Sequence, residues 1–163
     1  MSKDGDRRRV RELRDAAARK YLPERVDLLL VAEAPPAADD RYFYFEHVHS
    51  HDWLFLGVAE VLLGDKPGRA TKASTLAELK NRGTFLIDLK LDPADSSDLA
   101  MHVPDLVARC AALRPRRIVL IKAPISTPRT DLSWPRDFPS LTSGCTFHRR
   151  VARASSRGSS RKH

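Results

Sequence analysis

Three side chains capable of chemistry directly follow short apolar segments of this chain. Glu33 comes after the segment that ends at Ala32, Asp88 ends the segment TFLID, and Lys122 follows the segment RIVLI. If these segments are parallel strands, their carboxyl ends meet at one edge of a sheet. Ligands of open parallel sheets bind beyond that edge. The spacing therefore predicts a ligand site close to these residues.

The elements that position these residues follow from the hydrophobic pattern. Short apolar runs predict buried parallel strands over residues 26–32, 84–89 and 117–121. Apolar residues at helical spacing predict helices over residues 6–20, 53–63, 75–80 and 98–113, and a last helix that starts near Thr146. In the first helix, we expect Val10, Leu13 and Ala17 to form the apolar stripe. The order of elements predicts an α/β fold, namely a three-layer α/β/α sandwich with a central, mainly parallel four-stranded sheet.

Length and composition limit the class of protein. A chain of 163 residues with 42 % apolar residues has room for one domain with a core of its own. It contains no apolar run of the roughly 18 residues that a membrane helix needs, and its start contains no apolar signal segment. We therefore expect a cytoplasmic monomer, nucleoid-associated if bacterial. The two cysteines, Cys110 and Cys145, exclude a disulfide scaffold and a four-cysteine metal centre within one chain.

The positive charge is concentrated at the two ends of the chain. Of the total net charge of +8, residues 149–163 carry six basic and no acidic residues and residues 1–25 carry a net +4, which leaves −2 for the middle. Basic arms of this kind bind polyanions such as single- or double-stranded DNA, although they also keep proteins soluble. The pattern indicates a basic N-terminal extension (1–24), an α/β domain (25–153) and a basic disordered tail (154–163).

Two other groupings are candidates for chemistry. His47, His49 and His51 would lie on one side of an extended segment and could bind zinc, but no cysteine is near them. Cys145 precedes His148 by three residues, and no acidic partner for a cysteine nucleophile is evident. The chain has no glycine-rich phosphate motif. We expect neither a metal nor an organic cofactor.

Five segments in the same order resemble the uracil-DNA glycosylase superfamily. They are LLLVAEAPP, the aromatic residues 42–45, GTFLIDLKLDP, RRIVLIKAP and FPSLTSGCTFHRR, and they span residues 25–153. The first segment is most similar to the branch whose motif is Gly-Glu-Ala-Pro-Gly, and Ala32 and Pro36 stand in place of its two glycines. That branch carries four cysteines around an iron–sulfur cluster, so this chain resembles a divergent, cluster-free relative.

The resemblance implies hydrolysis of an N-glycosidic bond, with a base flipped into a pocket and water as the nucleophile. Glu33 would orient the water or stabilise the positive charge on the sugar. Asp88 stands where an asparagine often recognises the uracil edge, whereas an ionised aspartate accepts hydrogen bonds and donates none. The implied base pocket is formed by Ala32, Ala34, Pro35, Phe43, Tyr44 and Asp88. The alternatives are backbone capping by the two carboxylates and a plug at the edge of the core by the aromatic residues.

The last segment matches a family motif that is often His-Pro-Ser-Pro. Phe138 occupies the place of the histidine that stabilises the leaving base, and Lys122 or His148 would have to replace it. The resemblance implies that DNA phosphates are bound by Pro139, Ser140, Ser143, Gly144, Arg149 and Arg150.

Functions from different classes fit this pattern. The first is a DNA repair enzyme that hydrolyses the N-glycosidic bond of a damaged or deaminated base. The second is a catalytically altered or inactive DNA-binding protein of the same fold, which the departures at Ala32, Pro36, Asp88 and Phe138 favour. A third, weaker candidate is a hydrolase that acts on a small molecule at the same type of sheet edge.

Overall fold

The computed structural model describes residues 3–49, 51–64, 66–121 and 146–147. Three parallel strands form the sheet, namely β1 (Leu28–Ala32), β2 (Thr84–Asp88) and β3 (Arg117–Leu120). β1 lies in the middle, between β2 and β3. The strand predictions are confirmed to within two residues at each end, and the mixed α/β class is confirmed with them.

A further segment of two residues, β4 (Thr146–Phe147), lies parallel to β3, with Thr146 opposite Arg117 and Phe147 opposite Ile118. The prediction of a helix that starts near Thr146 is therefore wrong at these two residues. The open edge of β3 offers them backbone partners, and a β-branched residue followed by an aromatic one suits an extended backbone.

The predicted helices are confirmed as α1 (Lys3–Lys20), α2 (Trp53–Leu63), α3 (Lys72–Asn81) and α4 (Val103–Leu113). A 3₁₀ turn, Arg69–Thr71, runs directly into α3, which therefore begins before the predicted Thr75. Another 3₁₀ turn, Leu99–His102, replaces the first part of the predicted fourth helix. Pro104 lies in the first turn of α4, where no N–H is needed for an intrahelical hydrogen bond.

The buried face of α1 differs from the predicted stripe. Leu13 is 53 % exposed, whereas Arg14 and Tyr21 are buried and Ala17 and Ala18 pack partly against the core. Positions 14, 17, 18 and 21 have the spacing of one helix face, so a charged residue lies in the middle of the packed stripe. The predicted stripe was wrong at Leu13, while Val10 and Ala17 are partly buried. Arg14 was left out because a count of apolar residues does not include arginine.

The turn before β2 sets the register of the sheet. Gly83 has φ +68, and a Cβ atom there would lie 2.8 Å from Asp27 Oδ2. The Gly83 carbonyl accepts hydrogen bonds from the backbone N–H groups of Asp27 at 2.8 Å and Leu28 at 3.1 Å. This turn starts β1 and β2 together, and five paired residues later it brings Asp88 opposite Ala32.

Candidate functional site

Buried charges collect at the carboxyl edge of the sheet. Asp88 ends β2 and is only 7 % exposed. The charged groups that act on its carboxyl are Arg14 from α1, Arg109 from α4 and Asp52 from the start of α2. Four elements therefore converge on one carboxyl group at the edge where ligands of parallel sheets bind.

The Asp88 carboxyl has no hydrogen-bond partner among the described residues. Burial raises the pKa of Asp88 to about 7, because removal from water disfavours the charged form. The positive charges of Arg14 and Arg109 lower this pKa, and Asp52 raises it, but burial dominates. Near neutral pH the group is therefore partly protonated and can both donate and accept hydrogen bonds.

Arg14 holds the chain segment that follows β1. Its Nη2 donates to the carbonyl of Pro36 at 2.8 Å and more weakly to that of Ala38 at 3.4 Å, and it lies 3.9 Å from the Asp39 carboxylate. The guanidinium group also lies over the Tyr42 ring, 5.8 Å from its centroid. Its Nε is buried and has no hydrogen-bond partner in the described part of the chain. Arg14 therefore has an unused buried donor, and its positive charge acts on the Asp88 carboxyl.

Arg109 caps the end of β2. Its Nη1 donates to the Asp88 carbonyl at 2.8 Å and its Nη2 to the Leu89 carbonyl at 3.0 Å, while Nε pairs with Asp105 one turn earlier on α4. The guanidinium group satisfies backbone carbonyls and brings a positive charge close to the Asp88 carboxyl without forming an ion pair with it.

A second buried aspartate at this edge is fully partnered. Asp52 Oδ1 accepts the backbone N–H of Phe55 at 3.1 Å and caps α2. Lys72 Nζ donates to Asp52 Oδ2 at 3.0 Å and to the Tyr42 carbonyl at 3.1 Å. Burial lowers the pKa of Lys72, and the attraction of Asp52 opposes this effect. The pair holds α2, α3 and the aromatic segment together.

The aromatic residues 42–45 pack mainly inside the molecule. Tyr42, Phe43 and Tyr44 are buried, and Phe45 is partly buried. The Tyr44 hydroxyl accepts the backbone N–H of Leu86 at 2.6 Å and donates to the Leu86 carbonyl at 2.9 Å. These contacts fill the outer edge of β2, as the plug interpretation expects. Phe43 and Tyr44 turn their rings to the core, and their stacking on a flipped base stays a prediction.

Of the other predicted residues near β1, Ala32 lies opposite Asp88, and Glu33, Ala34 and Pro35 follow the end of the strand. Ala32 and Pro35 are buried, and Glu33 and Ala34 are partly buried. The Glu33 carbonyl accepts the backbone N–H of Lys90 at 2.9 Å, and its carboxylate has no hydrogen bond among the described residues. Glu33 follows the last residue of β1 and lies in a bend of the chain. Glu33 is also not among the charges that act on Asp88.

The whole predicted phosphate site lies outside the described residues, together with the candidate replacements for its histidine and the Cys145–His148 pair. These residues are Lys122, Phe138, Pro139, Ser140, Ser143, Gly144, Cys145, His148, Arg149 and Arg150. In the described ranges, no three histidine, cysteine, aspartate or glutamate side chains are arranged to hold a metal ion.

A serine, a histidine and an aspartate meet in the segment before α4. Ser97 Oγ lies 2.8 Å from His102 Nε2, and Asp95 Oδ2 lies 3.2 Å from the same nitrogen. A catalytic triad needs the serine and the acid on different ring nitrogens. The buried Lys90 also donates to the carbonyls of Asp95 and Ser97, at 2.9 and 2.7 Å. This cluster therefore fixes the loop after β2 and does not form a nucleophile.

Sequence reasoning missed Arg14 and Arg109 as members of the site. A signal for Arg14 was present, because it shares the spacing of Ala17, Ala18 and Tyr21 on one helix face. Arg109 carries no such signal, since its contacts are with backbone carbonyls of a distant strand.

Comparison of the chain with protein-family models, curated proteins and solved structures found no match. Across the described residues, every helix is too short or too polar to cross a membrane.

Proposed function

We propose that this protein hydrolyses the N-glycosidic bond of a damaged or deaminated base in DNA, as the resemblance to uracil-DNA glycosylases implies. The observation that carries the proposal is the Asp88 carboxyl, which is buried at the carboxyl edge of the sheet with its hydrogen-bonding capacity unused among the described residues. The proposal includes the four-stranded, three-layer sandwich, a monomeric state and a cytoplasmic location.

Asp88 suits the edge of a uracil-like base. The base presents one ring N–H between two carbonyl groups, so its recognition needs an acceptor next to a donor. An aspartate with a pKa of about 7 supplies both when protonated, as an asparagine amide would. The free Nε–H of Arg14 supplies a further donor for a carbonyl oxygen. The two groups together favour a base whose edge presents a ring N–H next to a carbonyl, such as uracil, hypoxanthine or xanthine.

The reaction replaces the C1′–N bond by a C1′–O bond from water. The electron pair of the broken bond goes to the departing base, and the proton released by the water ends on the base or in solvent. We assign to Glu33 the orientation of the water or the stabilisation of positive charge on the sugar. Asp88 and Arg14 stabilise the negative charge on the departing base through hydrogen bonds. Neither step requires a metal or an organic cofactor.

The test is a glycosylase assay on labelled oligonucleotides that carry uracil, hypoxanthine or xanthine, in single- and double-stranded form. Alkali cleavage reveals abasic sites. We expect product with the native protein, loss of product with Asp88→Ala and Glu33→Gln, and retention with Asp88→Asn, whose amide keeps one donor and one acceptor. Glu78→Gln, on the exposed surface of α3, is the matched control. Absence of product from every substrate contradicts the proposal.

A DNA-binding protein without glycosylase activity is the second candidate. The observation that favours it is that Glu33, the residue assigned to the water, is not among the charged groups that act on the Asp88 carboxyl. Such a protein retains DNA in a low-salt gel shift and shows a steep decrease of affinity with salt, but forms no abasic product.

A further inference from the structure

An exposed pair of stacked aromatic rings lies at the start of α2. Trp53, the first residue of this helix, is 70 % exposed. The His51 ring packs nearly parallel to the indole, with 5.2 Å between centroids and 15° between planes. One face of the indole is supported by histidine, and most of the tryptophan surface remains in contact with solvent.

The stacked pair lies at the same edge as the candidate site. Asp52 stands between the two aromatic residues in the chain and is held by Lys72 and by the Phe55 N–H. The charge of Asp52 acts on the Asp88 carboxyl, so the start of α2 is close to the end of β2. The rigid attachment of Asp52 fixes the backbone from which both rings project.

Helix α1 brings positive charge toward this edge. The Tyr21 ring stacks on Tyr44, whose hydroxyl bonds to Leu86 in the middle of β2. Seven residues earlier on α1, Arg14 reaches the carbonyl of Pro36, beyond the end of β1. Seven helical residues span about 10 Å, so α1 runs toward the carboxyl edge as it approaches its N-terminus. Its first three turns therefore extend past this edge, and they expose Arg7, Arg8, Arg9 and Arg11.

We propose that Trp53, supported by His51, is a stacking platform for an unpaired nucleobase of single-stranded DNA, and that the exposed arginines of α1 bind the neighbouring phosphates. A flat aromatic face beside a positively charged surface is the combination that binds single strands without regard to sequence. The inference rests on the proposed function only in taking DNA as the partner. It adds a site outside the base pocket and a preference for unpaired bases.

The first measurement follows the fluorescence of Trp53. The chain has two tryptophans, so Trp134→Phe leaves Trp53 as the only one. This variant is titrated at low salt with a thymidine oligomer and with an abasic oligomer of the same length and charge. We expect the thymidine oligomer to quench the fluorescence and the abasic oligomer to bind with little quenching. Equal quenching by both oligomers, or none by either, overturns the proposal.

The second measurement compares affinities. Trp53→Ala is expected to weaken binding of the thymidine oligomer by roughly 5- to 100-fold and Trp53→Phe by much less, because phenylalanine also stacks on bases. Val61→Ala removes another exposed apolar side chain of α2 and should leave the affinity unchanged. An unchanged affinity of Trp53→Ala overturns the proposal, as does a Trp53-dependent self-association of the protein in the absence of DNA.

The glycosylase assay separates failure of this inference from failure of the proposed function. Abasic product together with an unchanged affinity of Trp53→Ala leaves the enzyme proposal in place and removes the stacking platform. Base-dependent quenching without product on any substrate leaves the platform in place and removes the enzyme proposal.

Discussion

Two buried aspartates at the same edge of the sheet have opposite surroundings. Asp52 and Asp88 are each 7 % exposed. Both oxygens of Asp52 have partners, in Lys72 and the Phe55 N–H, whereas the Asp88 carboxyl has none among the described residues. A buried carboxylate with partners stabilises the fold, whereas burial of a carboxyl without them costs stability. This difference is the reason why the proposed function assigns recognition of the base to Asp88 and not to Asp52.

The largest expected effect is for a substitution of Asp52, the aspartate whose two oxygens have partners. Asp52→Asn keeps an oxygen to cap α2 but leaves the Lys72 ammonium group buried without a counter-charge. We expect the free energy of unfolding at pH 7 to fall by about 3 kcal/mol, because an uncompensated buried charge is costly. Urea unfolding measures the change, and Asp88→Asn, which removes no partner, serves as the matched control. Equal destabilisation by both substitutions would contradict the distinction between the two sites.

The pH dependence of the free energy of unfolding tests the surroundings of Asp88, the second member of the comparison. The pKa of Asp88 is raised in the folded state, so the folded protein retains a proton that the unfolded chain releases above pH 4. The contribution of Asp88 to stability is therefore fully present below pH 4 and is lost as the pH rises to about 7. Between pH 5 and pH 8 we expect a loss of about 3 kcal/mol relative to Asp88→Asn. If the free energy of unfolding had the same pH dependence in both proteins, the pKa of Asp88 would not be raised by folding.

Arg14 both binds the segment after β1 and places a positive charge that acts on Asp88. Arg14→Met removes the hydrogen bond to the Pro36 carbonyl and a positive charge that lowers the pKa of Asp88. We expect this pKa to rise above 7 and the free energy of unfolding to fall by about 1–2 kcal/mol. A carbon-13 titration of the carboxyl resonances follows the pKa directly. Arg11→Met, on the exposed side of the same helix, should change neither quantity. An unchanged pKa of Asp88 in Arg14→Met would show that the charge of Arg14 does not act on the Asp88 carboxyl.

The smallest effect is expected for a carboxylate in water. Glu78 of α3 pairs with Arg82, the residue that directly follows this helix, with 2.8 Å between Oε1 and Nε, and both side chains are about half exposed. Glu78→Gln should lower the free energy of unfolding by less than about 0.5 kcal/mol, because solvent screens such pairs. A loss as large as that of Asp52→Asn would mean that burial does not govern these effects.

The elements that position the site could be predicted from the sequence, because their signals are local. The apolar runs of β1, β2 and β3 and the helical spacing in α2 lie within single segments. The position of Asp88 at the end of a buried strand follows from the same pattern. The prediction failed at Thr146 because the edge of β3, which is remote in the chain, decides the local conformation there.

The surroundings of Asp88 could not be predicted in the same way. Arg14 and Arg109 lie far from Asp88 in the chain and reach the site through contacts with backbone carbonyls. Helical spacing places Arg14 on the buried face of α1, but neither residue type nor spacing indicates which distant carbonyls the two arginines contact. The packing of the aromatic residues 42–45 could not be predicted either. Four consecutive aromatic residues indicate either a pocket or a plug, and the partner of the Tyr44 hydroxyl, the backbone of Leu86, belongs to a strand some forty residues later.

The central claim, that the free carboxyl of Asp88 recognises the base, is tested most directly by the pH dependence of the glycosylase reaction. Single-turnover rates of abasic-site formation on a uracil oligonucleotide are measured from pH 5.5 to 8.5 for the native protein and for Asp88→Asn. We predict that the native rate falls about tenfold per pH unit above pH 7, as Asp88 loses its proton, while the asparagine variant shows no such fall. The same pH profile in both proteins, or no product from either, would contradict the claim.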